Sequence, residues 1–235
     1  MDKKTVLISG SSSGIGEASA KLFLDKGFIV HGIDRNEATV VHNDYHHYVV
    51  DIREFDKLPS LSNISHLVFN AGVLYDHEDT IGTNIYGTFN CEDKYVRSNL
   101  QTLESIVILS SIAAHDGQDD RGYVASKGAL ISYTRYLANQ LASFGIRVNS
   151  LSPGAGETSM NKKYMLKEVY DAVAQENLLR RWNQPEEIAK AVYFMCIDNT
   201  FCTGTDLLLD GGERIKTRYV YGPGEGPVYG SNCEK

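Results

Sequence analysis

The sequence predicts an α/β protein, a doubly wound parallel seven-stranded sheet with helices on both faces, and three observations carry that expectation. The first is a strand, glycine-rich turn and helix near the amino end: Thr5-Val6-Leu7-Ile8 runs into Gly10-Ser11-Ser12-Ser13-Gly14-Ile15-Gly16. The second is the alternation of short apolar runs with helix-period segments along the chain, the pattern that crossover connections impose on a parallel sheet. The third is that no repeat or composition break divides the 235 residues, a length that suits one large α/β domain.

In the first unit, Gly10 permits a tight turn, Gly14 allows backbone to approach a pyrophosphate, and Gly16 lets helix and strand pack closely. Bare N–H groups and a helix N-terminus then face a phosphate. The spacing is Gly-x-x-x-Gly-x-Gly rather than the commoner dinucleotide fingerprint. Ile15, Ala18, Ala20, Leu22 and Phe23 carry the helix toward Gly27, and Phe28 to Ile33 is the second strand, ending at Asp34. An acid there accepts hydrogen bonds from adenosine-ribose hydroxyls and repels a 2′-phosphate, which favours NAD. Arg35 beside it can receive that phosphate, so NADP stays open.

The stretch from Asn36 to Tyr45 is too short for a full crossover helix. His46 to Val50 is the third strand, followed by Asp51-Ile52. His42, His46 and His47 do not read as a metal site, because neighbouring strand residues face opposite sides and no companion carboxylate pattern accompanies them. A short helix fits Arg53 to Leu58. His66 to Phe69 is the fourth strand, closed by Asn70-Ala71-Gly72, whose small residues let backbone lie against a flat ring such as adenine. Helical periodicity resumes near Asp79, with Ile81, Ile85, Phe89 and Val96 on one side and Asn84 as an awkward interior amide. Glu104 to Leu109 is the fifth strand, ending in Ser110-Ser111.

A long helical pattern then carries Tyr123 and Lys127 one turn apart on one face and runs to about Phe144. An ammonium beside a phenol favours phenolate and lowers the Tyr pKa, giving a proton donor and acceptor near neutral pH. Alone, Tyr-x-x-x-Lys is a weak signal. Ile146 to Leu151 is the sixth strand, before Ser152-Pro153-Gly154. Thr158 to Gln175 is helix-prone, and Met160, Tyr164, Met165, Val169 and Tyr170 would line either a substrate lid or an ordinary core helix. Pro185 opens a helix over Glu186 to Met195. Asp206 to Leu209 is the seventh strand, followed by Asp210-Gly211-Gly212. The tail 217–235 sets three tyrosines among Gly and Pro, and we expect it to pack across a two-fold interface.

A formal net charge of −7 without a basic stripe argues against nucleic acid as a partner. Cys91, Cys196, Cys202 and Cys233 are scattered without ligand spacing, which reads as idle thiols in a reducing compartment. No signal-peptide core and no membrane-length apolar run is present, so the expectation is a cytoplasmic protein.

Together these motifs resemble the short-chain dehydrogenase/reductase family. The resemblance spans Val6 to Gly212 and rests on the order of its motifs: Gly10-x-x-x-Gly14-x-Gly16, Asp51-Ile52, Asn70-Ala71-Gly72, Asn84, Ser110-Ser111, Tyr123-x-x-x-Lys127, Pro153-Gly154, Pro185-Glu186-Glu187-Ile188-Ala189 and Asp210-Gly211-Gly212. It implies a Rossmann-type domain over residues 1–216, with 158–181 as the lid region and 217–235 as an added tail. It implies an NAD(P)-dependent oxidoreductase that interconverts a secondary alcohol and a carbonyl. Tyr123 would be the acid/base. Lys127 would bind the nicotinamide ribose and lower the Tyr pKa. Ser111 would hydrogen-bond the substrate oxygen, with Ser110 as an alternative, and Asn84 would hold a water linked to Lys127. Cofactor contacts would include Ser12, Ser13 and Ile15 of the turn, together with Asp34, Arg35, Asp51, Ile52, Asn70, Ala71 and Gly72. Pro153 and Gly154 would line the nicotinamide side and Thr158 would touch the carboxamide.

The trimmed crossovers resemble those of 3α-hydroxysteroid dehydrogenase/carbonyl reductase, and Ser111-Ile-Ala-Ala-His115 resembles 2,3-dihydro-2,3-dihydroxybenzoate dehydrogenase. A 3-oxoacyl thioester, a hydroxysteroid and a cyclic diol are therefore all candidate substrates, and a homodimer or homotetramer is the expected assembly. The rival expectation is a dinucleotide-binding sensor or scaffold without catalysis.

Overall fold

The computed structural model of the chain describes residues 3–74, 77–157, 166–175 and 177–215. Seven strands form one sheet: β1 (Thr5–Ser9), β2 (Ile29–Asp34), β3 (Tyr45–Val49), β4 (His66–Phe69), β5 (Ser105–Leu109), β6 (Arg147–Pro153) and β7 (Asp206–Leu209). Their order is β3-β2-β1-β4-β5-β6-β7 and every pairing is parallel. The chain builds outward from β1 to β3, then returns to the other side of β1 for β4. The carboxyl ends of β1 and β4 therefore flank a topological switch point, where open α/β sheets hold their ligands.

Both faces of the sheet are covered, which is why β1 and β5 are apolar at successive positions instead of alternating. Leu7, Leu67, Ile106 and Ile108 pack into one core with Cys91 and Tyr95 of α3 (Thr88–Tyr95) and with Leu130 and Leu137 of α5 (Arg121–Leu141). Val6, Ile8, Val68 and Val107 face the opposite core. There they meet Ala20 and Phe23 of α1 (Gly14–Asp25) and Ile188 and Val192 of α7 (Pro185–Tyr193). α1 and α7 lie side by side, and Phe23 and Tyr193 place their ring centroids 5.3 Å apart.

The first crossover carries no helix between β2 and β3, as the short stretch dictates. The helix expected over Arg53 to Leu58 is only a 3₁₀ turn at Phe55–Lys57, with Pro59 close behind it. β3 begins one residue earlier than expected, and Val50 N still donates to Asp34 O beyond its end. β6 continues past Leu151 to Pro153 because β7 pairs alongside it, Pro153 opposite Leu209. The helical segment containing Asn84 is not regular. α2 (His77–Ile81) passes into a π-helical turn at Gly82–Gly87 before α3 begins. A second π turn, Phe194–Asp198, ends α7, and a single helical turn, α4 (Ala113–Asp116), precedes α5.

Within the predicted lid, α6 (Lys167–Val173) is helical. Its inward residues are Tyr170 and Val173, followed by the buried Ala174. Val169, expected on that face, is 47% exposed, because 170, 173 and 174 form the inner stripe. Thr158, Met160, Tyr164, Met165 and the tail 217–235 lie outside the described residues. Among the described residues no helix is long and apolar enough to cross a membrane, and no group of His, Cys, Asp and Glu could hold a metal ion.

Candidate active site

The glycine turn is shaped by its lack of side chains. Gly10 (φ 72°) and Gly14 (φ 53°) adopt left-handed backbone. A Cβ on Gly10 would come within 2.8 Å of the Ala71 Cα, and one on Gly16 would run into the Gly10 carbonyl. The turn is thereby pressed against the end of β4. Asn70 Nδ2 donates to Ser9 O (3.1 Å) and Gly10 O (3.0 Å), while Ser9 Oγ accepts from the backbone of Asn70 and Ala71. The N-terminus of α1 opens beside Gly10, Ser13 and Ile15 onto a cavity of about 800 Å³. Ser12 and Gly16 are not on its wall.

One end of the cavity is walled by Asp34, Arg35, Asn36, Asp51 and Ile52. The Asp34 carboxylate accepts from Ser12 N (3.0 Å), Asn36 N (2.9 Å) and Asn36 Nδ2 (3.0 Å). A carboxylate has about four acceptor sites, so capacity remains for a ribose hydroxyl. Asp51 is gripped by the Arg53 guanidinium, whose hydrogen bonds hold the carboxyl below the usual carboxylate range. Arg53 also pairs with Asp79, and Arg35 stands 3.9 Å from Asp79. Arg35 is 57% exposed and reaches toward solvent on that side.

The other end is built from buried groups. Asp120 caps α5 by accepting from Gly122 N (2.9 Å) and Tyr123 N (3.4 Å), which fixes the first turn and with it Tyr123. One turn on, Lys127 is 4% exposed; Nζ donates to Leu109 O (2.8 Å) and lies 5.5 Å from the Tyr123 ring centroid. Burial lowers the Lys127 pKa to about 8. A Cβ on Gly72 would sit 3.3 Å from Lys127 Nζ and 3.2 Å from Asn84 Oδ1, so the glycine leaves the space between them open.

The two candidate serines have different partners. Ser110 Oγ donates to Lys127 O (2.8 Å) and ties β5 to α5. Ser111 Oγ accepts from Ala113 N (3.2 Å), which leaves its own proton available at the cavity wall. Asn84 holds loop to helix: its Oδ1 accepts from Val73 N (2.9 Å), and its Nδ2 donates to Val73 O (3.2 Å) and Ser126 Oγ (2.9 Å). The π turn places this amide inward, and both its donors are already engaged.

The far wall was not foreseen from the sequence. It contains Asp116, Gln118, Asp119, Trp182, Asn183 and Glu213. Trp182, the single tryptophan, stacks on Tyr170 with centroids 4.2 Å apart. Asn183 donates to Gly154 O and Ala155 O (2.9 Å each), holding the end of β6. Burial beside Asp120 and Asp116 pushes the Asp119 carboxyl up. A lone Trp next to Asn was the available signal, but neither residue type has a spacing rule that marks it as site-forming.

With this geometry in place, similarity to known proteins identifies the chain. A family profile described as Enoyl-(Acyl carrier protein) reductase matches residues 70–213. The 3-oxoacyl-[acyl-carrier-protein] reductase FabG of Buchnera aphidicola is 30% identical, over 90% of this chain and 98% of its own. Among solved structures, Thermoplasma acidophilum aldohexose dehydrogenase superposes with a TM-score of 0.84 at 26% identity, covering 94% of this chain and 98% of that one. ElxO with NADP bound (TM-score 0.80, 26% identity, 92% and 100% coverage) and a Brucella melitensis 3-ketoacyl-(acyl-carrier-protein) reductase complexed with NADH (0.79, 26%, 89% and 98%) are similar too. The chain belongs to the short-chain dehydrogenase/reductase family. It is an oxidoreductase of the class that acts on CH–OH and carbonyl groups with NAD(P).

Proposed function

We propose that this enzyme is an NAD-linked dehydrogenase or carbonyl reductase in which Tyr123 moves the proton on the substrate oxygen. The observation that carries this reading is the buried Lys127 ammonium, 5.5 Å from the Tyr123 ring, in a cavity that continues to Asp34. The cradle suits a dinucleotide: left-handed Gly10 and Gly14, a Gly16 with no room for a Cβ, and an acid at the end of β2. Gly10, Ser13, Gly14 and Ile15 would hold the pyrophosphate, Asp34 the adenosine ribose, and Asp51, Ile52, Asn70 and Ala71 the adenine side, while Gly72, beside Lys127, would border the nicotinamide ribose. Lys127, Pro153 and Gly154 would face the nicotinamide half. A nicotinamide bound there supplies hydride acceptance and donation.

The chain's own residues supply orientation and proton transfer. Tyr123 donates to a carbonyl oxygen in reduction and accepts from a carbinol in oxidation. Lys127 places a positive charge beside the phenol, which stabilises its ionised form. Ser111, with its proton free, donates to the same substrate oxygen. Asn84 clamps the 72–73 loop to α5 and so sets the distance between Lys127 and the cofactor side. Asp34 favours NAD, because its charge repels a 2′-phosphate. Arg35 is drawn toward Asp79 and is half-removed from that competition.

For the substrate we favour a hydroxylated ring, the cyclic-diol class, over a hydroxysteroid or a 3-oxoacyl thioester. Asp116, Gln118, Asp119 and Asn183 provide hydroxyl acceptors, whereas a steroid needs a wall dominated by apolar groups. Trp182 and Val173 cover one apolar face.

Tyr123→Phe tests the reading. It keeps the ring's packing and removes the hydroxyl, so turnover should fall by roughly 10²–10⁴-fold. NAD binding by calorimetry should change little. Near-normal turnover in this variant would overturn the acid/base assignment. Comparing kcat/KM across cyclic diols, aldoses, steroids and 3-oxoacyl thioesters tests the substrate class.

A further inference from the structure

A relay of side chains from the outermost strand reaches the floor of the adenosine end. On β3, Tyr45 and His47 share one face. Tyr45 Oη lies 3.0 Å from Ser11 Oγ inside the glycine turn and 3.0 Å from His47 Nδ1, to which it gives its one proton. His47 Nε2 lies 2.9 Å from Asn36 O, and since a carbonyl only accepts, Nε2 carries a proton and donates. Ser12 Oγ donates to the same carbonyl (3.3 Å). Asn36 in turn presents its backbone N–H and its amide to Asp34.

Space for this relay is made by Gly32 on the intervening strand. A Cβ there would collide with the Tyr45 hydroxyl and come within 2.5 Å of Ser11 Oγ. Ser11 is fully buried, so its hydroxyl needs an internal partner, and Tyr45 is that partner. Burial also pushes the Tyr45 phenol up, which keeps it a protonated donor through the neutral range.

We propose that Tyr45 and His47 are positioning residues for cofactor selection: they lock the Asp34–Asn36 turn against the glycine turn and so hold the Asp34 carboxylate where an adenosine ribose meets it. The proposal rests on reading Asp34 as the ribose ligand. It gives a function to His47, which has none in the proton-transfer chemistry and belongs to no metal-binding pattern. Neither Tyr45 nor His47 lines the cavity, so they act through Asn36 and Ser11.

The test reads the adenosine half alone. Tyr45→Phe and His47→Leu should each weaken 5′-AMP binding in calorimetry by about three- to tenfold, the scale of one lost hydrogen bond. KM for NAD should rise in parallel while kcat at saturating NAD stays within about twofold, since the catalytic end is untouched. His47→Gln, which retains a donor for Asn36 O, should recover most of the 5′-AMP affinity. Asp34→Asn serves as the reference. If it leaves 5′-AMP binding unchanged, the ribose reading itself falls. If it weakens binding while Tyr45→Phe and His47→Leu do not, the relay proposal alone is overturned. A joint loss of kcat and thermal stability with unaltered 5′-AMP affinity also overturns it, because that is the mark of a merely structural role.

Discussion

At the Asp34 end of the cleft, charged groups are partly exposed and pair with one another: Asp51 with Arg53, Arg53 and Arg35 with Asp79. At the opposite end, Lys127 is buried against a backbone carbonyl and has burial, not a counter-ion, as the cause of its lowered pKa. In the proposed function the first arrangement recognises the cofactor, and it tolerates solvent screening. The second holds an ammonium out of water at a cost to stability, and its charge then acts with little screening on the proton transfer proposed for Tyr123. Rigid elements carry the second: a capped 21-residue helix, a π turn and a fully buried strand. The first rests on strand-end turns that a few hydrogen bonds must hold still.

The serine pair gives the largest expected contrast. Ser111→Ala should reduce turnover by about 10²-fold or more, as loss of a donor to a developing oxyanion does. Ser110→Ala should instead cost about 1 kcal/mol of stability through the lost bond to Lys127 O and leave turnover within a few-fold. Steady-state rates and urea unfolding on both variants decide it, and the reverse pattern would exchange their roles.

Lys127 offers a thermodynamic test of the buried end. Its folded pKa of about 8 lies below the ordinary lysine value of 10.5, so between those pH values the unfolded chain holds the extra proton. Stability from this group is therefore lowest below pH 8 and grows as pH rises toward 10.5. Relative to Lys127→Met, the wild-type unfolding free energy should gain on the order of 3 kcal/mol across that window. A flat difference in urea titrations over that range would mean that the ammonium is solvated.

Asp34→Asn probes the recognising end. The ratio of kcat/KM for NAD over NADP should fall by about tenfold, the scale of a charge-assisted hydrogen bond and a relieved repulsion. A clear NADP preference in the wild type would refute the NAD assignment outright. Arg53→Gln is the mildest change. It removes surface ion pairs, so stability should move by no more than about 1 kcal/mol and KM for NAD by less than about threefold.

The serine ambiguity shows what sequence spacing can resolve. Ser110 and Ser111 are adjacent and chemically alike, and both line the cavity; only the fold commits the Ser110 proton to Lys127 O and leaves Ser111 accepting from Ala113 N. Asn84 was legible as an awkward helix-interior amide, but not that a π turn would commit it to Val73 and Ser126. The same limit applies to Tyr45 and His47. Period-2 alternation puts them on one face, while their contact with Ser11 depends on a missing Cβ at Gly32, one strand away.

By itself the sequence determined the strand order's raw material: seven strand-forming runs, the glycine turn, Asp34, and Tyr123 with Lys127 a turn apart. These are local facts, set by backbone sterics, helical period and side-chain chemistry, and they carry through to the parallel sheet and its family. Only the tertiary structure decided which serine is tied to the Lys127 carbonyl, how far Lys127 is desolvated, and that Asp116, Trp182 and Glu213 close the far wall. Those properties depend on which distant segments are brought together, and burial and close approach between such segments have no signature in the order of residues along the chain.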